Sequence, residues 1–158
     1  MKIAIILGSK SDVDKMKPAT ELLSEFGINY KGYILSAHRV PEKLLETIKK
    51  LEAEEYECII AAAGLAAHLP GVIASHTTLP VIGVPIDAKL QGLDSLLSIV
   101  QMPKAIPVAT VGINNSYNAA MLSIEILSLK YSILKEKLKQ YRKNMKEKFI
   151  KDNERMGF

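Results

Sequence analysis

Tryptophan is absent and cysteine occurs once, at position 58, in a chain of 158 residues. A single thiol closes no internal disulfide, so nothing points to an oxidising compartment, and its place in the apolar run CIIAAA reads as a buried structural thiol. No stretch approaches the ~20 uninterrupted apolar residues that span a bilayer. The opening MKIAIILGSKSD has no small-residue cleavage site of the kind that ends a secretory signal, so a soluble, cytoplasmic chain with no membrane partner is expected. Metal ligands are scarce as well. Histidines 38, 68 and 76 include no pair at four-residue helical spacing and have no cysteine cluster beside them, so no metal is expected. Internal repeats, low-complexity tracts and Pro/Gly/Ser linkers are missing. With 48% hydrophobic residues and a length usual for one domain, the chain is expected to fold as a single domain over 1–158.

Charge is present but unevenly placed. Residues 130–158 carry ten Lys/Arg against four Asp/Glu, which leaves eleven against thirteen for the rest of a chain of net charge +4. The basicity belongs to the tail, where Leu134, Leu138, Tyr141, Met145 and Phe149 recur every three or four residues. That spacing predicts a helix that docks one apolar stripe and solvates its charges. No basic-aromatic interleaving or zinc-finger spacing accompanies it, so no nucleic-acid partner is expected.

Short apolar runs at 3–7, 30–35, 59–63, 81–84 and 108–111 are separated by segments with helical patterning or helix-start signals. Strands alternating with helices predict a parallel sheet. The runs at 3–7, 59–63 and 81–84 are apolar throughout, as for strands covered on both faces. The reading is a three-layer, doubly wound α/β domain of about five strands, with helices over roughly 116–129 and 132–150 and residues 130–158 forming a C-terminal helical extension. In such folds ligands bind beyond the carboxyl ends of the strands. The segments there are Gly8–Asp12 (GSKSD), 36–41 (SAHRVP), 64–71 (GLAAHLPG) and Pro85 onward.

These segments hold the polar chemistry. Gly8 can take a backbone angle closed to other residues, and Ser9, Ser11 and Asp12 stand at a helix start, a natural anion site; ordinary N-capping explains Ser-x-x-Asp equally well. Since a carboxylate repels phosphate, Asp12 suits ribose hydroxyls, leaving phosphate to the serines and backbone N–H groups, with Arg39 as countercharge. His38 follows a strand and precedes Pro41, which suits a helix start. A lone histidine there is commonly a cap or a surface residue, but beside an arginine it is placed for proton transfer near neutral pH. The small residues of AAAGLAA at 61–67 let a ligand ring approach the backbone, or let the next helix pack closely. His68 precedes Pro70, a residue suited to a first helical position, while His76 falls later in that helix and reads as surface or intersubunit packing. The apolar segment 91–103 reads as an oligomer interface or a core helix.

Two familiar alternatives fit poorly. A phosphoacceptor receiver needs acidic residues at its strand ends, where this chain has Leu7-Gly8-Ser9 and Ala63-Gly64, and a flavin carrier stacks aromatic rings that the expected binding loops lack.

On GSKSD at 8–12, SAHRVP at 36–41, AAHLPGVIASHTTLPVIGVP at 66–85, GLDSLLSIVQMP at 92–103 and IPVATVGI at 106–113, the sequence resembles the PurE family of N5-carboxyaminoimidazole ribonucleotide mutases over nearly its whole length. The resemblance implies a flavodoxin-like domain, a homo-octamer with sites at subunit boundaries, a small ribonucleotide substrate and no cofactor. Carried over motif by motif, it puts acid–base catalysis on His38, with His68 nearby, and substrate binding on Ser9, Asp12 and Arg39; Ser11, Ser36, Gly64 and Ala66, on the same segments, complete the expected binding site, with His38 and His68 as its catalytic pair. AAHLPG resembles the mutase members; related carboxylases take aminoimidazole ribonucleotide and carbon dioxide directly. Three departures stand out: Leu65 and Ala105 occupy common glycine positions, and the stretch 114–117 is short.

Overall fold

A computed structural model describes residues 1–156. The chain divides into two compact units, Met1–Ser123 and the segment from Ile124 onward. The first unit holds β1 (Lys2–Leu7), α1 (Lys17–Glu25), β2 (Asn29–Ile34), α2 (Pro41–Ala53), β3 (Cys58–Gly64), α3 (Leu69–Ala74), β4 (Val81–Ile86), α4 (Leu93–Val100) and β5 (Ala109–Thr110). Helix α5 (Ser116–Ser128) runs across the boundary, and α6 is Ser132–Met156.

The five strands form one parallel sheet in the order β2-β1-β3-β4-β5, with Leu7 level with both Ile34 and Ala62, and Ala62 level with Val84. Helices cover the sheet on both sides, in the flavodoxin-like arrangement. Strand order reverses between β1 and β3, so the carboxyl ends of these two strands part the connections that leave them and open a crevice there. Strand β1 is buried from Ile3 to Leu7, β3 from Cys58 to Ala63, and β4 throughout. This is why their sequences do not alternate: each face meets a helix.

One face is packed by Leu44, Ile48 and Leu51 of α2, Leu69 and Ile73 of α3, and Ile99 of α4 against Ala4, Ile6, Ile59, Ala61 and Val81. Each of these larger side chains contributes about 1.5–3 kcal/mol by leaving water. Helix α4 closes on β4 because position 83 is glycine: a Cβ there would stand 2.4 Å from Ile99 Cγ2 and 2.9 Å from Val108 Cγ1. Helix α1 ends where Gly27, at φ +74°, lets its own N–H reach Ser24 O and the Ile28 N–H reach Leu23 O, turning the chain into β2. Cys58 is buried, and loss of water around it pushes the thiol up to about 12, as an inert structural thiol requires.

The last strand is shorter than the run 108–111 suggests. Pro107 has no N–H to extend the ladder, and beyond Thr110 the chain keeps two isolated bonds to β4, from the Val111 N–H to Gly83 O at 3.2 Å and from the Asn114 N–H to Pro85 O at 2.8 Å. In the second unit α6 continues to Met156, past the expected 150. Its apolar stripe buries Leu134 and Leu138 and leaves Met145 and Phe149 exposed. The helix carries the pairs Lys139–Glu136 and Lys143–Glu147 at helical spacing, which support it where the apolar stripe is exposed or gives way to solvent. Among the described residues no helix is long and apolar enough to cross a membrane.

Candidate active site

The crevice at the carboxyl ends of β1 and β3 is a cavity of about 600 Å³. All nine residues singled out in the sequence line it: Ser9, Ser11, Asp12, Ser36, His38, Arg39, Gly64, Ala66 and His68. They arrive on three separate turns.

The first turn follows β1. Gly8 is not in the left-handed region, and a Cβ there would meet Ala63 Cβ at an ordinary 3.7 Å, so the backbone freedom expected of this glycine goes unused. Its carbonyl instead accepts from Arg39 Nη2 at 2.9 Å. The expected α-helix start is also absent. Lys10–Asp12 and Asp14–Met16 are single turns of 3-10 helix, and α1 begins only at Lys17. A single turn aligns too few peptide dipoles to act as the N-terminus of a long helix. Binding capacity there rests on side chains. Ser9 Oγ accepts from the Ser11 N–H at 3.3 Å, and Ser11 Oγ lies 2.8 Å from Ser9 Oγ and 3.0 Å from Asp12 Oδ1. The one Ser11 hydroxyl proton serves one neighbour at a time, so the trio keeps unspent capacity toward a ligand. Asp12 is the buried member.

The second turn follows β2. Ser36 O accepts from the N–H groups of Arg39, at 3.3 Å, and Val40, at 3.0 Å, which curls residues 36–40 into a tight turn. Pro41 then opens α2, its fixed φ suited to a first helical position. The third turn follows β3. A Cβ on Gly64 would stand 3.1 Å from Ile86 O, so glycine permits the close approach of β3 and β4 there. Leu65 sits at φ +59°, in the left-handed region, and Ala105 at +74°. These are the two positions where the resemblance leads one to expect glycine, and the backbone at both has kept a glycine-like conformation. After Leu65, the N–H groups of Ala67 and His68 reach the carbonyls of Leu65 and Ala66, each at 2.8 Å, and His68 becomes the N-cap residue of α3. Pro70 is the second helical residue. Helix α3 ends at Ala74, so His76 lies in the turn beyond it, bonded to Val72 O and Ser75 Oγ and outside the cavity.

The second and third turns meet at His38 Nε2 and His68 Nδ1, 2.8 Å apart, with the rings edge-on at 5.0 Å and 83°. One of these nitrogens must lack a proton for the bond to exist, so the pair cannot carry two charges while the contact lasts. A neutral pair and a singly charged pair both satisfy it. The arrangement can hold one extra proton in the cavity that Ala63, Gly64 and Ala66 also line and hand it to a bound molecule. Among the described residues no group of three His, Cys, Asp or Glu side chains is placed to hold a metal ion.

Two charged lining residues were not singled out in the sequence, Lys15 and Asp87, although Asp87 falls within the segment from Pro85 onward. They form an ion pair, and Lys15 Nζ also donates to Asp87 O at 2.9 Å. The hydrogen bond from Lys15, together with one from Asn114, holds the Asp87 carboxyl below its ordinary range. Asp87 is the first polar residue after the apolar run of β4, so the strand-end rule alone could have found it. Lys15 gave no such signal, because it reaches the cavity only through the pair of 3-10 turns.

The AIR carboxylase family model matches residues 2–148. The chain is 60% identical over 147 residues to the N5-carboxyaminoimidazole ribonucleotide mutase of Pyrococcus horikoshii, covering 92% of this chain and 83% of that one. To the enzyme of the same name from Thermotoga maritima it is 51% identical over 156 residues, 98% of this chain and 91% of the other. Among solved structures, Treponema denticola PurE superposes with a TM-score of 0.92 at 28% identity, covering 99% of each chain. With sequence, fold and cavity in agreement, the chain belongs to the AIR carboxylase (PurE) family.

Proposed function

We propose that this chain is an isomerase of purine biosynthesis that interconverts N5-carboxyaminoimidazole ribonucleotide and 4-carboxy-5-aminoimidazole ribonucleotide, with His38 as the proton-transfer residue. The 2.8 Å contact between His38 and His68, in a cavity that also holds Arg39, carries the reading. Protonated His38 delivers its proton to the exocyclic nitrogen as the N–carboxyl bond breaks, leaving aminoimidazole ribonucleotide and carbon dioxide together. The enamine-like C4 attacks the carbon dioxide and forms the new carbon–carbon bond. Neutral His38 then removes the C4 proton, which restores the aromatic ring and its own starting state. His68 orients the migrating carboxylate and accepts or donates across the histidine contact as the proton leaves and returns. Ser9, Ser11 and Arg39 hold the phosphate, Asp12 accepts from ribose hydroxyls, and Ser36, Gly64 and Ala66 shape the walls.

Trapping carbon dioxide requires a closed site, yet His38, Leu65 and His68 are exposed in the single chain. Helix α4 presents Leu93, Leu97 and Val100, each about half exposed, at i, i+4 and i+7. An uncovered apolar stripe of that kind supports self-assembly, and with the family resemblance the reading is a cytoplasmic homo-octamer in which neighbouring subunits complete each site. Light scattering tests this: a monodisperse species near 17.4 kDa would overturn it. For the reaction, purified protein is offered each substrate in turn. Formation of 4-carboxy-5-aminoimidazole ribonucleotide only from the N-carboxylated compound supports the mutase. Comparable turnover of aminoimidazole ribonucleotide with carbon dioxide would assign the direct carboxylase instead. Entry of label from bulk carbon dioxide as fast as turnover would end the trapped-intermediate account.

A further inference from the structure

Two acidic and two basic side chains line the cavity, Asp12 and Asp87 against Lys15 and Arg39, and their formal charges cancel. That is a poor match to a ligand bearing both a phosphate and a carboxylate. Arg39 is anchored through its bond to Gly8 O. Lys15 is committed only to Asp87. It rises from the turn Asp14–Met16 after β1, whereas Asp87 follows β4, and β3 lies between those strands. The ion pair therefore spans the cavity across the end of β3.

Both partners are partly exposed, Lys15 at 34% and Asp87 at 46%. Exposed ion pairs are weak, so exchanging this one for another anion is easy. The backbone at each end is held without it: Lys15 O accepts from Ser116 Oγ at 2.6 Å, and the Asp87 N–H donates to Asn114 Oδ1 at 3.1 Å. Asn114 is itself fixed by its N–H to Pro85 O at 2.8 Å, and it also hydrogen-bonds the Asp87 carboxyl. The ammonium can leave on its flexible stem while Asp87 keeps a partner.

We propose that Lys15 is a second ligand-binding cation of this site, held across its mouth by Asp87 until an anionic oxygen of the ribonucleotide, on its phosphate or its carboxylate, takes the place of the Asp87 carboxylate. The inference rests on the ribonucleotide reading given above. It makes Lys15 a binding group and Asp87 its internal competitor, so removing one must act opposite to removing the other.

Calorimetry on the intact protein reads this directly, with two probes: aminoimidazole ribonucleotide, which has the phosphate but no carboxylate, and 4-carboxy-5-aminoimidazole riboside, which has the carboxylate but no phosphate. Lys15→Gln is expected to weaken one probe roughly tenfold, the loss typical of a charged hydrogen bond. Asp87→Asn is expected to tighten the same probe several-fold, and only while Lys15 is present. The probe that responds identifies the anion. Lys15→Arg, which keeps the charge, should retain most of the affinity, separating a binding role from damage to the fold. Weakening by both Lys15→Gln and Asp87→Asn would mark the pair as a structural latch and overturn the proposal. So would no tightening by Asp87→Asn, or a tightening that persists in the Lys15→Gln background. Wild-type protein that binds a probe but turns over no substrate would end the mutase reading alone. Wild-type protein that turns over while Asp87→Asn fails to tighten would end the exchange alone.

Discussion

Strands β2 and β3 each deliver a histidine to the same cavity, but from opposite environments. Strand β3 lies between β1 and β4 and is buried over all but its last residue, while β2 is an edge strand whose residues are exposed except for the partly covered Tyr33. A buried strand positions His68 from below, through the left-handed turn at Leu65 and the anchored residues Leu69 and Ile73 of α3. An exposed strand cannot do the same for His38. Its position comes from the other side of the turn, where Leu44, Ile48 and Leu51 lock α2 into the core, and from Arg39, which ties the loop to Gly8 O. A functional side chain can thus take its precision from the element that follows it rather than the one that precedes it.

The strongest way to test that symmetry of delivery is to remove each histidine. His38→Asn keeps a hydrogen-bonding side chain but cannot exchange protons near neutral pH. It is expected to stay folded and to lose on the order of a hundred- to ten-thousand-fold in kcat. His68→Asn should lose less, since an amide can still orient a carboxylate; the reverse order in steady-state kinetics would move the proton-transfer role to His68. Next in size, Arg39→Ala should raise KM roughly ten- to hundredfold, with a smaller fall in kcat, because a phosphate clamp acts alike on ground and transition states. A large kcat loss at unchanged KM would place Arg39 in the chemical step.

The contrast between centre and edge is sharpened by two glycines. Gly83→Ala in β4 should destabilise by about 1–3 kcal/mol through collision with Ile99 and Val108. At Gly32 in β2 a Cβ would meet nothing within 4 Å, and Gly32→Ala should gain about 0.5 kcal/mol instead. Equal losses in chemical denaturation would mean that β2 is covered in the assembled protein. Leu65→Gly relieves a left-handed leucine that is half exposed, and a net gain of up to roughly 1 kcal/mol is expected after the added chain entropy is charged against it. A loss in melting temperature would show that Leu65 packs on something the single chain lacks.

The smallest effect is electrostatic. Lys15 holds the Asp87 carboxyl below its ordinary range, so the stability from this pair is present above the unfolded carboxylate value of about 3.9. It is lost as pH falls through the lower folded value. The difference in melting temperature between wild type and Asp87→Asn should be constant near neutral pH and shrink only below about pH 4. A difference that vanished already near pH 6 would implicate a histidine instead.

Much of this was legible beforehand for a simple reason. Strands β1, β3 and β4 are apolar on both faces, and only a sheet covered on both sides makes such runs, so layer order and the binding edge followed from the residues. The nine residues that the motifs and the resemblance pointed to all lie within a few positions of a strand end, and that is where the structure opens a cavity. What the linear pattern could not show is conformation that depends on neighbours. Gly8 leaves its freedom unused, Lys10–Met16 winds into 3-10 turns rather than an α-helix, and Leu65 adopts an angle that its side chain disfavours.

By itself, the sequence determined the parallel α/β layering, the edge where chemistry gathers and the residue types available there, because hydrophobic period and strand-end position are local properties of the chain. Tertiary structure alone decided that His38 and His68, thirty residues apart, share a hydrogen bond, and that Lys15 reaches Asp87 across the end of β3. Such contacts depend on how β1, β3 and β4 stand side by side and on where the turns between them point. Hydrogen bonds and ion pairs act over a few ångströms, and only the folded sheet brings residues so distant in the chain within that range.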